Sequence, residues 1–425
     1  MSFSAVALAS YLALVFWWQS VWFAHPPITQ REGAIAVVLS PIGTRGATQT
    51  LAILANGVLD ELATSMSRVK PFRVTRGSLG IVDRRGQDIL QFHLTIGLQK
   101  GEDHVRAVAN LMDEDGRVIW GGVFVLPEAP ELELRVGLVQ RILQELRPQI
   151  FKAAKRELAV QSGIAETAWD LYIASIWVPG DATSSLDWEV QRVGLARQAL
   201  AARPDFGQAH SVLADKLSYL ANVDPTSDSP QLRSEAEVHA QRAIDHAADD
   251  ADAVFNVSLH YWHVGELDRS VELLERTLEL DPNHVPAEFL VKVVSFTCRT
   301  APEEILEAAR SFDTALLPEN PVRWVTLTWI SLLEMNNGNW EGAEDASRRA
   351  WLIFRTPDTV MRYAAILVHL QKVEVAKKIL EQLHSNWPTL NPRHYARVTM
   401  FRRCAQTEQL GHVMAAYGSL KQPTE

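Results

Sequence analysis

The sequence predicts an α+β multidomain chain: an N-terminal transmembrane helix, a small α/β domain and a C-terminal α-solenoid. Three observations predict it. Residues 2–30 contain no Asp, Glu, Lys or Arg. Residues 31–160 alternate short apolar runs with polar, glycine-bearing turns. From residue 187 onward, amphipathic helical patterns recur in pairs that stop at proline. The divisions fall at 1–30 (anchor and linker), 31–160 (α/β domain), 161–186 (connector) and 187–425 (helical repeats).

The repeats are read from Asp252 to Pro282. Val254, Val257, Ser258 and Tyr261 share one face of a first helix, and Ser270, Leu274 and Thr277 one face of a second. The small residues Ser258 and Ser270 let the two axes approach, while Tyr261 and Leu274 fill the space beside them. Gly265 ends the first helix and Pro282 the second. This unit resembles a tetratricopeptide (TPR) repeat, whose period is about 34 residues. One copy cannot bury its own apolar face, so neighbours are required. They follow: a turn at Asn337–Ala343 and a small-large stripe at Ala376, Leu380 and Leu383. Prolines 282, 321, 357 and 388 are spaced by 39, 36 and 31 residues. Residues 187–418 therefore read as five or six stacked helix pairs.

Composition is that of a folded chain of 425 residues, long enough for two or three domains. The net charge of −10 is unevenly placed: residues 161–425 hold 24 basic and 36 acidic side chains, residues 1–160 hold 17 and 15. An acidic solenoid argues against nucleic acid as a partner. Cys298 and Cys404 fit no metal spacing and fall in helical patterns, which suits buried or bystander thiols.

Phe3–Ala24 is apolar over a length that spans a bilayer as a helix. Trp17, Trp18, Trp22 and Phe23 crowd its end as an aromatic belt would. It lacks a basic n-region and a small-residue cleavage pattern, so an uncleaved anchor is expected, contacting inner-membrane lipid through residues 3–24.

In the α/β domain, Ala34–Leu39 reads as a buried strand ended by Ser40-Pro41. Thr48 caps a helix with Leu51, Leu54, Ala55, Val58, Leu62 and Met66 on one face. Strands follow at Phe72–Thr75, Ile89–Leu98, Val105–Met112 and Val118–Val125. A closing helix from Leu132 to about Glu157 carries Val136, Val139, Ile142, Leu143 and Leu146 as its apolar face.

The stretches IAVVLSPIG, LANGVLDELATSMSRVKPFRVTRGS, GRVIW and ILQELRPQI with AWDLYIAS resemble the TolB amino-terminal-like domain, over residues 34–177. The order anchor, α/β domain, TPR array is similar to that of CadC-type membrane regulators. The resemblance implies a bacterial inner-membrane protein, single-pass, with its bulk in the periplasm. Only Gly77–Asp88 stands where the family has a second helix, and neither a DNA-reading nor a cyclase module is evident. Fold-level likeness of this kind says little about function.

Candidate chemistry is sparse. The loop Ser40–Gly46 lies between a strand and a helix, and Arg45 with the helix N-terminus could attract an anion. It lacks the residues of a P-loop or a dinucleotide site, and a plain connection is the simpler reading. His260 and His263 are one turn apart, but a structural zinc needs four ligands. No catalytic residue, cofactor or metal is expected. In TPR arrays the first helix of each pair lines the concave face, which here places Asp252, Phe255, Leu259 and Trp262 there, followed by Val325, Thr328, Leu332 and Met335. Phe255 and Trp262 suit the groove and the solenoid core equally, whereas Trp340 suits packing after its turn. Phe255, Leu259, Trp262, Leu332 and Met335 are the expected partner-binding residues. The expected function is a membrane-tethered interaction protein that binds a protein partner, as an accessory subunit or sensor scaffold. The alternative is a regulatory subunit of a separately encoded catalytic or DNA-binding chain.

Overall fold

The computed structural model describes residues 35–45, 48–77, 90–160, 167–176, 183–223, 229–294, 303–318, 320–391 and 394–395. Strands β1 (Ile35–Leu39), β2 (Gly43–Arg45), β3 (Phe72–Arg76), β4 (Leu90–Lys100), β5 (His104–Met112) and β6 (Val118–Pro127) form one mixed sheet. Its order is β3-β1-β4-β5-β6, with β2 pairing β4 beyond the end of β1. Leu39 lies opposite Leu94 and Gly43 opposite Gly97, so the β1–β2 side carries one extra residue around Pro41, which cannot donate to a ladder. The loop considered as an anion cradle is thus partly strand: Gly43, Thr44 and Arg45 pair with β4.

Alternation sorts the strands. Val105, Ala107, Ala109 and Leu111 of β5 are buried, as are Trp120, Phe124 and Leu126 of β6, and they meet helices α1 (Gln49–Met66) and α2 (Glu131–Val160). Thr48 caps α1, its hydroxyl accepting from the Leu51 amide at 3.3 Å. The six apolar residues expected on the inner face of α1 are all buried. On α2, Val139, Ile142, Leu143 and Leu146 are buried, but Val136 is 46 % exposed because it precedes the part of the helix that the array covers.

The array opens with α3 (Ala168–Ser175) and α4 (Leu186–Ala202). Five antiparallel pairs follow: α5 (Gly207–Val223) with α6 (Ser229–Ala247), α7 (Ala251–Val264) with α8 (Leu267–Leu280), α9 (Val285–Val294) with α10 (Glu303–Ala315), α11 (Arg323–Asn336) with α12 (Trp340–Ile353), and α13 (Pro357–His369) with α14 (Val373–Asn386). Within α7–α8 every residue expected on the shared faces is buried, and the Ser270 hydroxyl donates to the Ser258 carbonyl at 2.9 Å. Gly265 closes α7 at φ 89°, a backbone angle that any side chain would strain.

The array curls until its ends meet. The Ser184 amide donates to the Arg355 carbonyl at 3.1 Å, and the Trp387 indole donates to the Ser184 carbonyl at 3.0 Å. Into the concave side runs α2. Pro148 sits inside this helix and has no amide to offer the Gln144 carbonyl. The Asn320 side chain of the array donates to that carbonyl instead, at 3.1 Å. Beside it the Glu145 carboxylate accepts from the Leu317 amide at 2.8 Å. The carbonyl that proline orphans therefore becomes a docking point between the two domains.

One expectation is corrected. Among the described residues no helix is long and apolar enough to cross a membrane. The longest, α2, carries charge along its length and is used up by the sheet and the array. The expected anchor Phe3–Ala24 lies outside the described residues, so the N-terminal transmembrane helix is withdrawn from the fold. The single-pass inner-membrane and periplasmic placement that depended on it is withdrawn too.

Candidate functional site

The first helix of each pair turns inward, as the repeat geometry requires, and faces α2 across a cavity of about 440 Å³. Leu143, Pro148 and Phe151 of α2 form one wall. Phe255, Leu259 and Trp262 of α7 and Trp324, Val325 and Trp329 of α11 form the other. The rings are set edge to face: Trp262 and Trp329 at 5.7 Å and 71°, Trp324 and Phe354 at 5.3 Å and 76°. Such pairs are favourable beyond the area they bury and hold one another's orientation.

Three of the five expected partner-binding residues, Phe255, Leu259 and Trp262, come together in this cavity, joined by Asp252, Val325 and Thr328. Leu332 and Met335 do not. Leu332 lies in the interhelix core with Leu306 and Ala346, and Met335 packs with Ala343 and Ile366. Leu332 stands roughly 10 Å further along α11 than Val325, at about 1.5 Å per residue. Met335 is ten positions on, which at about 100° each leaves it roughly 80° round the helix from Val325. Trp340 is a packing residue, its ring stacked on His369.

Among the described residues, charge enters the cavity wall in matched sets. Arg147 of α2 bonds Asp252 of α7 and, at 2.7 Å, Asp281 after α8. His284 adds a contact to Asp252 at 3.4 Å. Burial alone would push the Asp252 carboxyl up, but Arg147 and His284 outweigh it and hold it well below the usual carboxylate range. For the same reason burial fails to discharge Arg147, which its two aspartates keep charged. A second set joins Asp215 to Lys216 at 2.6 Å and to His263 at 3.2 Å. The third and fourth are Glu189–Arg192 at 3.0 Å and Asp358–Arg362 at 3.2 Å.

His260 and His263 point to different partners. His263 reaches Asp215 at the cavity wall. His260 links Ser218 of α5, 2.6 Å from its Nδ1, to Glu237 of α6, 3.0 Å from its Nε2. A serine, a histidine and a carboxylate in hydrogen-bonded series has the composition of a hydrolytic triad. Here Ser218 and His260 are wholly buried and neither lines the cavity, so the series ties three helices together and has no room for a substrate. Among the described residues no three of His, Cys, Asp or Glu gather as a metal would require. Cys298 and Cys404 lie outside the described residues.

Sequence reasoning missed the contribution of α2 altogether. The available signal was Pro148 inside an amphipathic helix, next to an arginine that flanks the apolar face. No family model matches the chain, and no curated protein matches it either.

Proposed function

We propose that this chain is a non-catalytic binding scaffold that holds a small molecule between α2 and the inner face of its helical array. The observation that carries the reading is the occupied groove. In a TPR-like array the concave face is the surface offered to a protein partner, and here α2 lies along it and leaves a largely apolar cavity of small-molecule size. Matched charges on the wall favour binding over chemistry, because a reacting group needs an unspent acid, base or nucleophile. The resemblance to TolB-like and TPR chains of the CadC-type regulators is compatible with a non-catalytic role, by analogy alone. In that picture a protein partner reads the filled or empty state.

The test is a fragment screen by ligand-observed NMR on the full chain and on Leu259→Trp, whose larger indole intrudes on the space between α2 and α7. Hits that disappear in the variant while its circular dichroism is unchanged support the reading. A screen whose hits all survive, or that finds none, overturns it. A second reading has one observation in its favour. A groove that accepts α2 accepts a helix, so a helix of a partner protein could replace it once the Arg147 contacts open.

A further inference from the structure

If the cavity is a ligand site, as the reading above holds, its walls also specify the ligand. Every charged group named there is already spent: Arg147 on two aspartates, Lys216 on Asp215, Arg192 on Glu189. A charged ligand would leave its own hydration and find no free counter-charge, unless it broke a buried pair. Two neutral hydrogen-bonding groups on the wall are also engaged. The Thr328 hydroxyl donates to the Trp324 carbonyl at 2.5 Å, and the Asn256 amide donates to the Ser211 hydroxyl at 3.1 Å.

What the wall offers in quantity is rigid aromatic surface. Trp262, Trp329, Trp324, Phe354 and Phe255 all line the cavity, and the tryptophans are braced edge to face. Phe255 is braced in turn by the His284 ring at 4.6 Å. An aliphatic chain gains only buried area against such rings, whereas a flat ring also gains stacking. A volume of about 440 Å³ lies near the small end for ligand pockets and suits two or three rings, with no room for a peptide helix. We infer that the cavity binds an uncharged, flat, ring-bearing molecule of low polarity, held by stacking among Trp262, Trp324 and Trp329.

Three probes separate the possibilities on the full chain, each followed by tryptophan fluorescence and thermal shift. N-phenylnaphthylamine is uncharged and flat, anilinonaphthalene sulfonate adds a charge to the same rings, and decanol is uncharged without rings. N-phenylnaphthylamine should bind at least about tenfold more tightly than either of the others. Trp329→Leu keeps the wall apolar but removes one stacking face. It should weaken N-phenylnaphthylamine by about tenfold and leave decanol within about twofold. Phe255→Leu serves the same purpose should Trp329→Leu unfold. Equal or tighter binding of the sulfonate or of decanol, or equal losses for both uncharged probes in the leucine variants, overturns the ligand class while leaving the cavity a binding site. Failure of all three probes, or binding untouched by Leu259→Trp, overturns the cavity reading itself.

Discussion

The seam between α7 and α8 and the seam between α2 and the array are built on opposite terms. In the first, partners lie within about thirty residues of each other and are small or apolar: Ser258 against Ser270, and Tyr261 in a cluster that Leu273 packs against. In the second, partners are more than a hundred residues apart and polar. Arg147 meets Asp281, Asn320 meets the Gln144 carbonyl, and Glu145 meets the Leu317 amide. Close packing of small residues tolerates some change in chemistry as long as volume is kept. A buried charge does not, because removing one partner strands the other in a low-dielectric setting. The first seam builds repeats, and the second decides where they are docked.

The strongest way to break this contrast is to remove Arg147. Its aspartates Asp252 and Asp281 are both buried or nearly so. Arg147→Ala should cost about 3–5 kcal/mol in denaturant unfolding of the full chain. Neutralising the stranded partners should restore more than half of it, in the triple variant Arg147→Met, Asp252→Asn, Asp281→Asn. A loss under about 1 kcal/mol for the alanine variant would mean that the seam does not depend on its charges.

The same contrast explains what could be read in advance. The α7–α8 faces follow from helical periodicity, which needs no knowledge of distant residues. Gly265 and Pro282 mark their ends for local steric reasons. Phe255, Leu259 and Trp262 follow from the same phase, whereas Met335, expected in the groove, lies roughly 80° round α11 from Val325 and packs with Ala343 and Ile366. Nothing local to α2 says that Arg147 will find Asp252, since that pairing exists only once the array has curled. Pro148 was the one visible sign, a carbonyl left without its helical donor. The anchor at Phe3–Ala24 was read from composition alone and lies outside the described residues.

A smaller effect separates the α5–α6 seam from both. The His210 Nε2 faces the Pro204 carbonyl at 3.0 Å and must carry the hydrogen, so its Nδ1 accepts from His239 Nδ1 at 2.7 Å. A second proton would set two N–H groups against each other. Burial, then the neighbouring His210, brings the His239 pKa down to about 4, and burial also lowers His210. Arg197, Arg242 and His246 add to the positive surroundings, while Glu235 and Asp205 oppose them. The sign follows from linkage. The unfolded chain takes up protons below about pH 6.5 and the folded one does not, so the contribution is complete above that pH and is lost as pH falls toward 4. Asp250, pushed up to about 6 by burial and by Asp252, runs the other way over the same range, so the comparison must be made against a variant. His239→Asn puts an amide N–H at the position of Nδ1 and can donate to the same nitrogen without titrating. Wild type should lose about 2 kcal/mol relative to it between pH 7 and pH 4.5, measured by urea unfolding at each pH. Parallel pH profiles for the two proteins would remove the histidine pair from the account.

The smallest effect tests whether charge or burial is the operative difference. Lys70 and Asp249 also join the α/β domain to the array, at 2.5 Å, but their side chains are 38 % and 74 % exposed. Water already solvates both ions well, so the pair gains little Coulomb energy and gives up side-chain entropy to form. Neither group would be stranded by the loss of the other, because solvent replaces it. Lys70→Ala should therefore change unfolding stability by no more than about 0.5 kcal/mol, and added salt should shrink even that. Run beside Arg147→Ala, it holds constant the sign of the charge and the pair of domains joined, while exposure and the number of partner carboxylates differ. Should Lys70→Ala cost as much as Arg147→Ala, exposure would not be what separates the two pairs. The strength of the α2 seam would then have to come from the domain contact as a whole and not from its buried ions.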